Sequence, residues 1–525
     1  MPLRLPARLP SVPAPLPLVP SVTSLLRRAA ALPLAALLGG LPVLLLLLLL
    51  GPQTALAGGT VTNCTEAGLN AALTGGGAVV FNCGPSPVTI TVTSQKIIAQ
   101  PTSIDGGGLV TLSGGGATRI FSVTAAGSLS LSNLTLYHGH AISQAGGAIY
   151  NNGTVSLVNL TLLSNTASGS LGNSLIGAGG GVFNASAGRL NVRDSAILSN
   201  ESDGGAGGAG IYSSGAVTIT GSRFHGNVAM NDGDGGGLQT NGGTALIQHS
   251  QFVSNTAGYG GAIDNDNALS LTLINSQLTD NLGIEDGGAM DIDSGAIQTF
   301  ISDTFAYNRS PFGNGGAIWN NSQLTVRDSL FYGNVAGVGD ISNTENGGAI
   351  YHSSGALTLT NSTLYNNRAD LGGGLYIGAP LTATNNTLVS NTAVITDSGG
   401  NLYLDSAVAK LKNNIVAGGS PVNCAFNAGT LTSLGHNLES ANTCGLTAGG
   451  DLTNTNPLLG ALGNFGGPTL SLALPLGSPA INQGDNNGCP ATDQRGGARP
   501  FNAICDIGAI EFGAITQLWL PLIRR

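Results

Sequence analysis

Residues 315–334 read GGAIWNNSQLTVRDSLFYGN, and this stretch decides the fold. It joins two phrases. The first is a glycine pair, a small residue, the aliphatic Ile318 and the aromatic Trp319. The second, from Leu324, alternates apolar and polar residues, passes Asp328-Ser329 and closes on Phe331-x-x-Asn334. Alternation at period two predicts short half-buried strands, and the glycines and asparagines mark the turns between them. The Gly-Gly pair is read as a turn that needs positive φ and lacks room for a Cβ between neighbouring backbones.

The first phrase recurs along the chain, beginning at Gly146, Gly179, Gly208, Gly235, Gly260, Gly287, Gly315, Gly347, Gly372 and Gly399. Its aliphatic residues, from Ile149 to Leu402, stand 25 to 33 residues apart. Ten copies at that period specify a solenoid, because one unit can bury its apolar face only against its neighbours. Two or three short strands per unit make one coil of a parallel β-helix. Weaker matches at 88–93, 109–113 and 129–136 extend the count to about 13 coils, a rod roughly 60 Å long. Coils stacked about 4.8 Å apart place like residues over like. Asn165, Asn200, Asn227, Asn255, Asn281, Asn308, Asn334, Asn367 and Asn391 are therefore expected to form an inward amide ladder. Ile149, Val182 and Ile211, with Phe224, Phe252, Phe305 and Phe331, are the expected core.

Composition agrees. The 525 residues include 82 Gly and 23 Pro, yet only 9% are charged and 42% are hydrophobic. Disordered chains are charged and poor in apolar residues, and helices do not carry so many interior glycines. With 18 basic against 27 acidic residues, and no basic stripe, a nucleic-acid partner is excluded.

Residues 1–57 read as an export signal: Arg27-Arg28, an apolar stretch ending in eight leucines, then Ala55-Leu56-Ala57 before the expected cleavage. An uncleaved signal anchor is the competing reading. All six cysteines follow this segment, and an even count in an exported chain argues for disulfides. Sequence neighbourhood favours Cys64–Cys83, Cys424–Cys444 and Cys489–Cys505. Residues 58–87 are expected to cap the first coil, with a short helix over 65–73 and Thr65 as its N-cap. Coils occupy 88–419, a disulfide-bearing C-terminal cap 420–512, and a short tail 513–525.

Three resemblances follow from these residues. The GGAI phrases with downstream FxxN, as at Phe305–Asn308 and Phe331–Asn334, resemble the repeats of polymorphic outer-membrane proteins. The start, TNCTEAGLNAAL through FNCG to IDGGG and TRIFSV, is similar to the N-terminus of exported bacterial right-handed parallel β-helix proteins. NPLLGALGNFGGPTLSLALPLGSPAINQGD, then CPATDQRGGARPFNAICDIGAIEF, resembles the choice-of-anchor Q domain. Together these cover nearly all of 58–512. They imply a right-handed coil, export and surface or extracellular display, and no established reaction. Polymorphic outer-membrane proteins end in a transmembrane β-barrel, and with 13 residues after Phe512 a self-secreting barrel is not expected here.

One position carries the chemistry. The residue after the repeat aliphatic reads Tyr150, Phe183, Tyr212, Gln239, Asp264, Asp291, Trp319, Tyr351, Tyr376 and Tyr403, so aromatics flank an acidic centre. Two residues further on, Asp266 and Asp293 complete four carboxylates on two neighbouring coils. Like charges that close repel, which makes Asp264, Asp266, Asp291 and Asp293 the candidate patch for a cation, with calcium the ion implied, or for a glycan. Tyr212, Trp319, Tyr351 and Tyr376 are candidate sugar-stacking rings. Asp232, Asp234, Glu285, Asp286 and Glu345, in comparable turns, are expected to extend the acidic edge. The plainer reading is an outer aromatic ladder with solvated acids. No HExxH or GxSxG occurs, and GAGGAG at 205–210 lacks the strand and helix that a nucleotide loop needs.

The sequence thus points to an exported, monomeric, all-β scaffold without a cofactor, for adhesion or polysaccharide binding. It meets a membrane only through an uncleaved signal or a sorting tail. The alternative is a polysaccharide lyase or glycoside hydrolase that uses the acidic patch.

Overall fold

The structure, a computed structural model, describes residues 58–514 apart from 170–174, 204, 206, 295–296 and 338–343. The expected leader 1–57 and residues 515–525 of the tail lie outside the described residues.

The repeat builds a parallel β-helix. In the coil quoted above, Ile318–Asn320 forms the first strand, Leu324–Arg327 the second, Leu330–Tyr332 the third and Val335–Ala336 the fourth. The first strands of successive coils stack into a 13-stranded sheet and the last into a 10-stranded sheet. The two middle strands share a 27-stranded sheet that bends between them. That bend is one residue in the left-handed region, Asp328 at φ 58°, with Asn275 and Asn361 at φ 50° and 49° in other coils. Asn and Asp tolerate this conformation better than other residues with a side chain, so the Asn/Asp-Ser/Thr dipeptide sits at the corner.

Register follows from burial. Ile318 lies between Met290 and Ile350 in parallel pairing. All ten repeat aliphatics are at most 1% exposed. Phe224 stacks on Phe252 at 4.4 Å and Phe305 on Phe331 at 4.7 Å within the same core. The glycine pair divides its work. Gly260 has φ 55°, and a Cβ there would stand 2.3 Å from the Ile263 carbonyl oxygen. A Cβ on Gly261 would stand 2.4 Å from the Gly288 carbonyl oxygen of the next coil.

The asparagine ladder runs as the repeat implies. From Asn165 to Asn391, each amide donates to the next at 2.8–3.0 Å. Asn401 and Asn423 continue it. A second inner ladder went unread in the sequence. Ser195, Ser222, Ser250, Ser276, Asp303, Ser329 and Ser362 each receive the backbone N–H of the preceding rung or pass one on.

At the N-terminal end the helix Glu66–Leu73 is capped by the Thr65 hydroxyl and buries Leu69. Cys64–Cys83, Cys424–Cys444 and Cys489–Cys505 are disulfide-bonded. Val422–Asn427 adds the last strand to the 13-stranded sheet. The chain then lies over the corner column of four successive coils: Thr469 donates to the Asp328 carbonyl, Asn361 to the Thr492 carbonyl, Asn385 to the Asp506 carbonyl and Asn413 to the Asp485 carbonyl. No helix among the described residues is long and apolar enough to cross a membrane.

Candidate functional site

The column after the repeat aliphatic is continuous in register through ten coils of the 13-stranded sheet, from Tyr150 to Tyr403. Tyr150, Phe183 and Tyr212 stack with centroids 5.3 and 5.0 Å apart. Trp319, Tyr351, Tyr376 and Tyr403 stack at 6.3, 4.9 and 5.4 Å. Rings stacked this way spend their faces on one another and leave mainly rims outside. Tyr212 is only 3% exposed. Of the four candidate stacking rings, Tyr212 is therefore covered, while Tyr351 and Tyr376 have rings on both faces. Trp319 differs. Tyr351 covers one face, and on the other side the residue in register is Asp291, not a ring.

Between Tyr212 and Trp319 the column holds Gln239, Asp264 and Asp291. These four steps of about 4.8 Å open a gap about 19 Å long between rings. The gap is a cleft of about 390 Å³ lined by Asp234, Tyr259, Asp264, Asp266, Asp286, Asp291, Asp293 and Trp319. The four aspartates of the sequence patch all meet there, joined by Asp234 and Asp286 from its acidic edge. Tyr259 was not read from the sequence. It had a signal, because Asp234, Tyr259 and Asp286 each stand immediately before a repeat glycine, at Gly235, Gly260 and Gly287.

The carboxylates are unequally supplied with donors. Asp266 accepts from Gln239 at 2.9 Å and Asn241 at 3.2 Å, and Asp234 accepts from Gln239 at 3.2 Å. Asp286 accepts from the Asn314 backbone N–H at 2.6 Å. Asp264 and Asp291 are 2% and 4% exposed, and Oδ1 of each has no hydrogen-bond partner among the described residues. The lining holds no lysine, arginine or histidine.

Electrostatics follow. Burial, then the charge of Asp266, pushes Asp264 well above the usual carboxylate range; burial, then Asp293, does the same to Asp291. Asp234 is pushed up to about 7 by burial and then Asp266, and Asp286 to about 6, chiefly by burial. The Tyr259 hydroxyl donates a hydrogen bond to Glu285, and that bond, then burial, raises its pKa. The cleft therefore offers crowded hard oxygen acceptors beside one indole face. The chemistry of this lining suits hydroxyl donors or a cation and disfavours anions.

Comparison with family models, with curated proteins and with solved structures gave no match for this chain.

Proposed function

We propose that the protein is an exported β-helix scaffold, displayed at the cell surface or released, that binds a glycan in the acidic cleft. One observation carries this reading: the aromatic column is interrupted over three coils by small acidic and amide side chains, leaving one indole face beside a row of carboxylates. The apolar face of a sugar ring fits against an indole, and its hydroxyls donate to carboxylates, where charge-assisted hydrogen bonds are the strong kind. A volume of about 390 Å³ suits a short segment of a chain and not an extended groove. The three disulfides fit an oxidising compartment, and the likeness of the repeats and of residues 456–512 to exported surface proteins supports display.

A glycan array with the mature protein and Trp319→Ala, paired with a reducing-sugar assay on any retained glycan, tests it. Retention by the wild type, at least tenfold weaker in Trp319→Ala and without new reducing ends, is expected. Equal retention by both proteins overturns the placement. Products abolished by Asp291→Ala replace the scaffold with a hydrolase or lyase.

A further inference from the structure

The crowding of carboxylates has a structural consequence of its own. Asp264 and Asp291 line the cleft, are more than nine-tenths buried and stand in register on adjacent coils, and Oδ1 of each has no hydrogen-bond partner among the described residues. A buried carboxylate that lacks donors and faces another is costly unless something compensates for its charge. No basic side chain lines the cleft to do so. Protein amides reach Asp234 and Asp266, through Gln239 and Asn241, and Asp286, through Asn314, but leave Oδ1 of Asp264 and of Asp291 without a donor among the described residues.

We propose that Asp234, Asp264 and Asp266 hold a divalent cation of the calcium class, with Asp291 completing the charge from the next coil. One carboxyl oxygen from each of the first three lies within 4.8 Å of the others. Opposite oxygens around calcium stand roughly 4.6–5.2 Å apart, from Ca–O distances of about 2.3–2.6 Å, so one ion reaches all three with little movement. The donor set is oxygen only, which disfavours zinc and copper. Calcium also tolerates irregular geometry with water in the remaining positions, whereas magnesium demands a near-ideal octahedron. The three ligands come from two coils, Asp234 before the Gly235 turn, Asp264 in the strand Ile263–Asn265 of the next coil and Asp266 directly after that strand. The ion would therefore pin adjacent coils at the place where no aromatic ring does so.

This inference is independent of the glycan reading, since the chain alone supplies the ligands. The test uses the full mature chain, treated with chelator and titrated calorimetrically with calcium chloride and, separately, magnesium chloride, with thermal melts in both states. Calcium should bind with Kd below about 1 mM, in the range of extracellular sites, and raise Tm. Asp264→Asn/Asp266→Asn should weaken calcium binding at least tenfold, while Asp397→Asn, exposed and away from the cleft, should leave it unchanged. The melts should cross: in chelator the double variant melts above the wild type, because it removes repulsion, and in calcium it melts below. A wild-type Tm indifferent to 10 mM calcium, the same calcium response in the double variant, or magnesium binding as tight as calcium would each overturn the assignment. Glycan retention in chelator is scored apart and bears only on the glycan reading.

Discussion

Replacing Asn281 with alanine removes one rung from the interior amide ladder, and the structure sets the size of the effect. Its Oδ1 accepts from the backbone N–H and the side-chain amide of Asn255, both at 3.0 Å. Its Nδ2 donates to the Phe252 carbonyl and to Asn308 Oδ1, both at 3.0 Å. The residue is 1% exposed, so water cannot replace these partners without opening the coil. Four bonds at a net of about 0.5–1.5 kcal/mol each give about 4 kcal/mol, with the Asn255 backbone N–H left unpaired. Asn281→Asp should be no milder. It keeps the accepting oxygen but sets a second oxygen against the Phe252 carbonyl and Asn308 Oδ1, acceptor against acceptor. The neighbouring ladder shows the contrast: Asp303 is equally buried but only accepts there, from the Ser276 and Ile301 backbone N–H groups. Urea unfolding together with hydrogen exchange over 275–285 measures the loss, since solenoids open locally. A loss under about 1 kcal/mol in Asn281→Ala, or an aspartate variant as stable as wild type at pH 7, would refute the ladder argument.

Other outcomes follow from the same geometry. Gly261→Ala should cost over about 3 kcal/mol or abolish folding, because its Cβ meets the Gly288 carbonyl at 2.4 Å. Gly107→Ala, with positive φ but nothing near its Cβ, should cost only about 1–2 kcal/mol, and equal thermal shifts for the two would contradict the close-approach account. His352 is fully buried, its Nδ1 accepts from the Asn320 amide at 2.7 Å, and burial lowers its pKa to about 4. The folded state thus resists its protonation, and stability falls as pH drops from about 6.5 toward 4, by about 3 kcal/mol at the lower end. Urea midpoints of wild type and His352→Gln between pH 7 and 4 check this, since the acid loss specific to His352 should vanish in the variant.

The fold was legible because stacking copies each local choice into every coil. Gly-Gly before an aliphatic residue, and an asparagine closing each second phrase, recur often enough for period and inward direction to be read from residues 146–402 alone. The serine rungs were harder to see. Ser195, Ser222 and Ser250 follow a corner residue and look like ordinary turn chemistry, and only the bend at φ near 50° shows that their hydroxyls point inward. The path of residues 457–512 was also hidden, because its partners Asp328, Asn361, Asn385 and Asn413 are ordinary corner residues in sequence. What distinguishes them is the backbone laid over them, an arrangement that no local pattern encodes.

The candidate site was half legible for a related reason. A repeat turns any position into a column, and a column that is aromatic everywhere except for three coils announces a gap. That much identifies Asp264 and Asp291, and period two adds Asp266 and Asp293. Depth is set by a second column, the residue before each glycine pair, which reads Ala145, Ala178 and Gly207 early and Asp234, Tyr259, Asp286, Asn314 and Asn346 later. Its acidic members fall in or beside the coils where the aromatics stop. Either column alone would leave solvated surface acids, the usual fate of aspartates on a solenoid face. Together they form walls around Asp264 and Asp291 and remove water from their Oδ1 oxygens. The coincidence of the two columns, more than the count of aspartates, separates this cleft from an acidic surface.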